Sequence, residues 1–186
     1  SDPFYAGAQN WGYNILSGTE GATYMTHLES KKNGTKMVYV GANDGMLHGF
    51  RDTDGLELLA YVPNAVIGNL ANLASPSYAH QYYVDGPSVV GDAYLNSAWK
   101  SILVGSTGAG AKAVFALDVT NPDSFDASKV MWEFTSAVHS DLGYPVGRPM
   151  MAKLNNGRWA AIFGNGYEST GGDAKLFIIY LDADLS

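Results

Sequence analysis

Residues 38–50 read VYVGANDGMLHGF, two apolar alternating runs on either side of Asn43-Asp44-Gly45. Alternation at period two marks a strand with one face on a core. Asn and Asp tolerate the left-handed backbone and Gly prefers it, so the three residues between the runs suit a tight hairpin. The strands run from Met37 to Ala42 and from Met46 to Arg51. A second turn at Asp52-Thr53-Asp54-Gly55 leads to a third strand, Leu56 to Val62.

The same order returns at Lys100 to Gly105 (KSILVG), a bend at Thr107 to Gly110, Ala113 to Val119 and Val130 to Phe134. It returns again at Met150 to Leu154, Trp159 to Gly164 (WAAIFG), a long turn at Asn165 to Gly172, and Lys175 to Asp182. The runs VYVG, ILVG and AIFG recur at intervals of about sixty residues, longer than WD40 and kelch repeats. Three such meanders read as an all-β chain, part of a modified β-propeller with blades near residues 37–62, 100–134 and 150–182. Closed propellers typically need about four to eight blades. The remainder of the propeller, or a partner chain, is therefore expected against the open faces.

Between the first two blades, residues 63–99 read as an insertion. Val66, Ile67, Leu70 and Leu73 fall on one helical face after Pro63, with Asn64 as the expected cap and Ser75-Pro76 as the stop. Residues 1–36, rich in Gly, Tyr and Asn, read as an irregular lead-in to the propeller domain of residues 37–186.

Bulk composition narrows the function. The chain has 186 residues, 46% hydrophobic and 16% charged, enough to bury a core. A formal charge of −7 gives a field that repels phosphate backbones and anionic lipid, which argues against nucleic acid as a partner. Lys31, Lys32 and Lys36 form the nearest basic cluster and read as a solvated face. No cysteine is present, which removes disulfides, thiolate metal sites and cysteine nucleophiles. No run approaches the roughly eighteen apolar residues of a membrane helix. The opening residues lack the features of a signal peptide, so the protein is either cytosolic or has its targeting segment elsewhere.

Candidate chemistry yields to architecture in each case. Asn43, Asp44 and Gly45 shape a turn. His48, Gly49 and Phe50 lie on the returning strand, where His48 is expected to bond a neighbouring carbonyl and tie strands together. Val38, Val40, Leu47 and Phe50 are expected to feed the blade core. Asp52-Thr53-Asp54-Gly55-Leu56-Glu57 begins like a calcium loop, but a strand follows where further oxygen ligands would be needed. Ser101, Ser106 and Ser169 lack a nucleophile elbow. His27, His48, His80 and His139 lack zinc spacing. The run GSTGAG, Gly105 to Gly110, lacks the lysine and following helix of a phosphate loop. No catalytic or metal residue is expected. A contact surface is expected at Tyr78, His80, Tyr82, Tyr83, Tyr144 and Tyr167, because tyrosine offers large contact area at low entropic cost.

The segments VYVGANDGMLHGF, YVPNAVIGNLANLASPSYAHQYYVDG, GAGAKAVFALDVTNP and WEF...DLGYPVGRPMMAKLNNGRWAAIFGNGYES together resemble the C-terminal propeller of the type IV pilus tip-associated proteins called PilC or PilY. The likeness runs in order from Met37 to the end, and DPFYAGAQNWGY is similar to the segment before that propeller. It implies a non-enzymatic pilus biogenesis and adhesion module, part of a longer exported protein at the periplasm, outer membrane or cell surface. The implied partners are minor pilins or the pilus tip complex, and a host or abiotic surface. The family's calcium site normally lies downstream of the covered sequence, so the resemblance implies no cofactor in this chain. Two other classes use propellers too: a quinoprotein-type dehydrogenase and a carbohydrate-binding propeller.

Overall fold

The computed structural model describes residues 1–185. Phe4–Ala6 (β1), Met37–Gly41 (β2), Leu47–Arg51 (β3) and Glu57–Tyr61 (β4) form an antiparallel sheet in that order. Val40 lies across from His48, and Gly45 closes the hairpin at φ 99°. That left-handed backbone is the reason a glycine ends the turn.

The segment expected to be an irregular lead-in instead supplies β1 and a helix, Gly18–Asn33 (α1), of 16 residues. Its buried positions, Gly21, Tyr24 and Leu28, make a narrow stripe on an otherwise polar helix. So thin a stripe gives little amphipathic signal, and tertiary packing supplies the stability that periodicity does not announce. Glu20 in the first turn and Lys31 and Lys32 in the last complement the helix dipole.

The insertion is also shorter than expected. After β4 come a one-turn helix, Asn64–Ile67 (α2), and a 3₁₀ segment, Leu70–Ala74, but residues 88–99 already belong to the second sheet. That sheet is Ser88–Leu95 (β5), Ala98–Ser106 (β6), Ala113–Asp118 (β7) and Val130–Thr135 (β8), again in chain order. β5 hides from pattern reading because both faces of this sheet are covered, so alternation vanishes, and Gly91-Asp92 interrupts its apolar run. Of the expected helical face, Val66 is buried while Ile67 and Leu73 are exposed. Pro63, not Asn64, holds the cap position of α2.

Met150–Lys153 (β9), Trp159–Gly164 (β10) and Leu176–Tyr180 (β11) form the third sheet, with β10 in the middle. The second sheet lies between the other two. Met37, Tyr39, Leu47 and Tyr61 pack on Leu103, Phe115 and Leu117, and on the opposite side Val104, Val114, Trp132 and Phe134 pack on Trp159, Ala161 and Phe163. Each side chain of this size contributes about 1.5–3 kcal/mol on full burial. Leu47 feeds the core as expected. Val38, Val40 and Phe50 do not: they are half-buried on the outward face of the first sheet, because the side chains at Met37 and Tyr39, one residue out of phase, face the second.

Candidate functional site

Asn43, Asp44 and Gly45 do more than turn the chain. The Gly45 amide donates to Ala42 O at 3.4 Å, and Asp44 Oδ1 accepts from the Met46 amide at 3.0 Å. Asn43 Oδ1 accepts from the Tyr83 amide at 3.1 Å, fastening the end of the insertion to the hairpin. His48 bonds no carbonyl. Its Nδ1 lies 2.5 Å from Glu57 Oε1 and its Nε2 2.8 Å from Asp44 Oδ2, so both ring nitrogens face carboxylates. Burial pulls the imidazole pKa down, but the hydrogen bonds to Glu57 and Asp44 and their charges outweigh it and raise it above the usual histidine value. Phe50 stacks on the ring at a centroid distance of 5.8 Å. Gly49 lies across from Tyr39, whose ring occupies the space a Cβ would need.

The acids of the 52–57 turn are engaged within the fold. Asp54 takes Arg51 in a two-pronged pair at 2.9 and 2.6 Å, and that guanidinium, with the Leu56 amide, draws the Asp54 carboxyl down to about 2. Asp52 accepts from the Tyr5 hydroxyl at 3.2 Å.

The tyrosines divide into anchors and exposed groups. Tyr83 is core: its hydroxyl donates to Asn69 O at 3.0 Å, so it does not belong to the contact surface expected of it. Tyr78 and Tyr82 are exposed, and His80 meets the Tyr82 ring edge-on at 5.3 Å. Tyr144 and Tyr167 join the loops before β9 and after β10 through an isolated bridge, with amide-to-carbonyl distances of 2.7 and 3.1 Å. Tyr167 is 69% exposed, whereas Tyr144 is half-buried with Lys112 Nζ 5.2 Å from its ring centre.

Contacts link these loops into one rim. The insertion holds the first hairpin through Asn43 and Tyr83, and Val84 N donates to Ala42 O at 3.2 Å. It holds the second through Asp85, whose amide donates to Thr107 O at 3.3 Å. Lys112 then reaches Glu168 O in the third turn at 2.5 Å. The turns between second and third strands of all three sheets are therefore joined at one end; Tyr167 lies in the third of them, and the exposed Tyr78, His80 and Tyr82 lie in the insertion that holds the first two.

Away from that rim lies a polar centre absent from the sequence reading. Asp92, on β5, has a fully buried side chain. It receives Lys31 Nζ at 2.7 Å, Ser101 Oγ at 3.0 Å and Tyr24 Oη at 3.1 Å. His27 Nε2 lies 3.2 Å from the same carboxylate without satisfying hydrogen-bond geometry. Burial pushes the Asp92 carboxyl up, but His27 and Lys31 more than reverse this and leave it below the ordinary value. Burial likewise pushes the Tyr24 phenol up. Glu20 adds an ion pair to Lys153 on β9, and its carbonyl accepts from Trp99 Nε1 at 2.9 Å. Helix α1 is thus a strap across the second and third sheets. An aspartate inside an apolar strand was the available signal.

A second inter-sheet tie is Glu133 of β8. It takes the Tyr61 hydroxyl and the Asn64 amide, the latter at 2.9 and 3.1 Å, joining the end of the first sheet and the start of α2 to the second sheet.

Comparison with known proteins adds family membership to this geometry. The PilY1 beta-propeller domain family matches residues 4–185. A type IV pilus biogenesis factor PilY1 homolog of Xylella fastidiosa strain Temecula1 is 50% identical over 177 residues, 92% of this chain and 12% of that protein. The type IV pilus biogenesis factor PilY1 of Pseudomonas aeruginosa strain PAO1 is 49% identical over 162 residues, 86% of this chain and 14% of that protein. The crystal structure of the Pseudomonas aeruginosa PilY1 C-terminal domain matches with a TM-score of 0.79 at 42% identity, covering 96% of this chain and 34% of that one. The chain thus spans a small share of the length of each curated relative.

Proposed function

Because the chain belongs to the PilY1 β-propeller family, we propose that it is a contact module of a type IV pilus biogenesis factor, exported to the cell envelope and carried at the pilus tip. The observation that carries this reading is 50% identity across 92% of the chain to a protein named for that role. The module works by protein contact rather than catalysis. It favours pilus assembly over retraction through minor pilins, and supports attachment to surfaces.

The physical logic is a stiff scaffold presenting an aromatic rim. Tyr78, His80, Tyr82 and Tyr167 offer contact area on loops pinned to buried neighbours, which lowers the entropy lost on binding. The Asp92 centre and Glu133 hold the sheets beneath them in fixed relation. A net charge of −7 disfavours anionic membranes and nucleic acid as competing partners.

The test is an immunoblot of pili sheared from source cells, with and without the minor pilins. Recovery with the pili that disappears when the minor pilins are removed supports the proposal. Abundant protein in the envelope and none on pili refutes it.

A further inference from the structure

The basic cluster Lys31, Lys32 and Lys36, expected to be a solvated face, divides in the structure. Lys32 pairs with the exposed Glu29 at 3.1 Å and stays in solvent. Lys31 and Lys36 instead line a cavity of about 370 Å³ between α1, the first sheet and the second. Its inner wall carries His27, Lys31 and Ser101, which also meet Asp92, together with Tyr39 and Val90. Ser30 and Lys36 form one side of its mouth, and Thr120 and Asp123, in the loop after β7, form the other. The Thr35 hydroxyl ties the two sides by donating to Asp123 Oδ2 at 2.6 Å. A volume of this size lies at the small end of ligand pockets.

Hydrogen-bonding capacity in this cavity is unbalanced. The acceptors of the inner wall and of the helix end are taken. Asp92 receives Lys31, Ser101 and Tyr24. Lys31 O accepts from the Gly34 amide at 3.3 Å, and Lys32 O and Gly34 O accept from Lys36 Nζ at 3.0 and 3.3 Å. Thr120 Oγ1 accepts from the Ser101 amide at 3.1 Å. Donors are left over. An ammonium carries three hydrogens, of which Lys31 gives one to Asp92 and Lys36 gives two to the helix end. The His27 side chain is 9% exposed, and its buried Nε2 makes no hydrogen bond among the described residues. Buried polar atoms are seldom left in that condition. A site with surplus donors calls for a ligand rich in acceptors.

Another part of the lining is apolar, with Met37, Val90, Val119 and Pro122. A bare inorganic anion would leave that part without a partner. We propose that the cavity binds a short-chain carboxylate, its acid group on the Lys31 and Lys36 ammoniums beside His27, and its hydrocarbon end on Val90, Val119 and Pro122. The net charge of −7 does not oppose this, because the chain's nearest basic cluster supplies the site and low-dielectric walls concentrate its field.

The proposal concerns binding alone and needs nothing from the pilus role. In the full-length protein, a pentanoate bearing a diazirine on its chain is photoactivated over a concentration series and the labelled peptides are mapped. The expected result is saturable labelling of the segments holding Val90 and residues 119–122, displaced by excess butyrate and not by butylamine or inorganic phosphate. Labelling that rises without saturation, or that falls evenly on exposed peptides, overturns the proposal. Displacement by butylamine overturns the choice of an anion, and displacement by phosphate as effective as that by butyrate overturns the choice of a carboxylate. Two substitutions at the mouth, outside both core clusters, should act in opposite directions. Lys36→Gln should raise the half-saturating concentration about three- to tenfold. Asp123→Asn keeps an acceptor for Thr35 but removes a negative charge, and should lower it roughly two- to fivefold. Shifts of the same sign, or no shift in either variant, also overturn the proposal.

Discussion

Replacing Asp92 by alanine probes the joint between α1 and the sheets. The carboxylate is fully buried and takes donors from Lys31, Ser101 and Tyr24 at 2.7–3.1 Å. Removing it leaves the Lys31 ammonium, 16% exposed, beside two hydroxyls that have lost their acceptor. Breaking one side of a buried pair costs about 3–5 kcal/mol, and most of that reflects the stranded charge. The partial exposure of Lys31 moves the expectation to the lower end, about 3 kcal/mol at pH 7. Lys31→Met in the same protein should recover part of the loss, because the stranded charge is then gone. The pH dependence has a definite sign. The folded-state pKa of Asp92 lies below its ordinary 3.8, so its contribution is fully present above that value and is lost as pH falls through the folded pKa. Urea unfolding midpoints from pH 7 downward measure both effects. A destabilisation below 1 kcal/mol at pH 7, or one unchanged to the most acid pH at which both proteins still fold, refutes the reasoning.

Other outcomes follow from individual contacts. Gly45→Val should cost about 1–3 kcal/mol, since a β-branched residue resists a φ of 99° and its Cβ would fall 2.2 Å from Leu70 Cδ2; an unaltered melting midpoint contradicts the turn assignment. Gly105→Ala places a methyl 2.6 Å from Phe115 Cζ in a packed core and should cost about 1–3 kcal/mol by overpacking, read as a lower denaturation midpoint at unchanged slope. His48 is raised in the folded state, so its pairing with Glu57 and Asp44 stabilises most below its unfolded value of 6.5 and fades as pH rises through the folded pKa. The stability gap between the native protein and His48→Asn should therefore shrink from pH 5.5 to pH 8.5, and a gap that widens rules out the doubly paired cation. Tyr82→Ala should leave the unfolding midpoint within about 0.5 kcal/mol because the ring is exposed, whereas Tyr83→Ala should lose about 3 kcal/mol or more; equal effects would mean the two rings are not divided between surface and core.

Local chemistry makes much of this legible before folding. The alternation in VYVGANDGMLHGF and its recurrences define strands whose turns are written in Asn, Asp and Gly, and local backbone preference needs no tertiary partner to act. The three-meander architecture, the Asn43 to Gly45 turn and the likeness to pilus-associated propellers all follow from that order of residues. What fails to show is decided by neighbours. Helix α1 carries a stripe only three residues wide, and its docking depends on Tyr24 and Lys31 reaching Asp92, some sixty residues away. Strand β5 is covered on both faces, which erases the alternation that would reveal it.

The contact surface divides along the same line. Tyr82 and Tyr83 are adjacent in sequence and alike in type, yet one ring lies in solvent and the other in the core, where its hydroxyl donates to Asn69 O of the same insertion and its backbone amide is held by Asn43 from the first hairpin. His48 shows the limit most clearly. Sequence places it on a returning strand beside a turn; only the folded sheet shows that both its ring nitrogens face carboxylates, Glu57 on one side and Asp44 on the other. By itself the sequence determined the strands and turns of the three meanders, which are set within a few residues. The tertiary structure decided which face of each strand is covered and which buried charges meet, since both depend on residues far along the chain that only packing brings within reach.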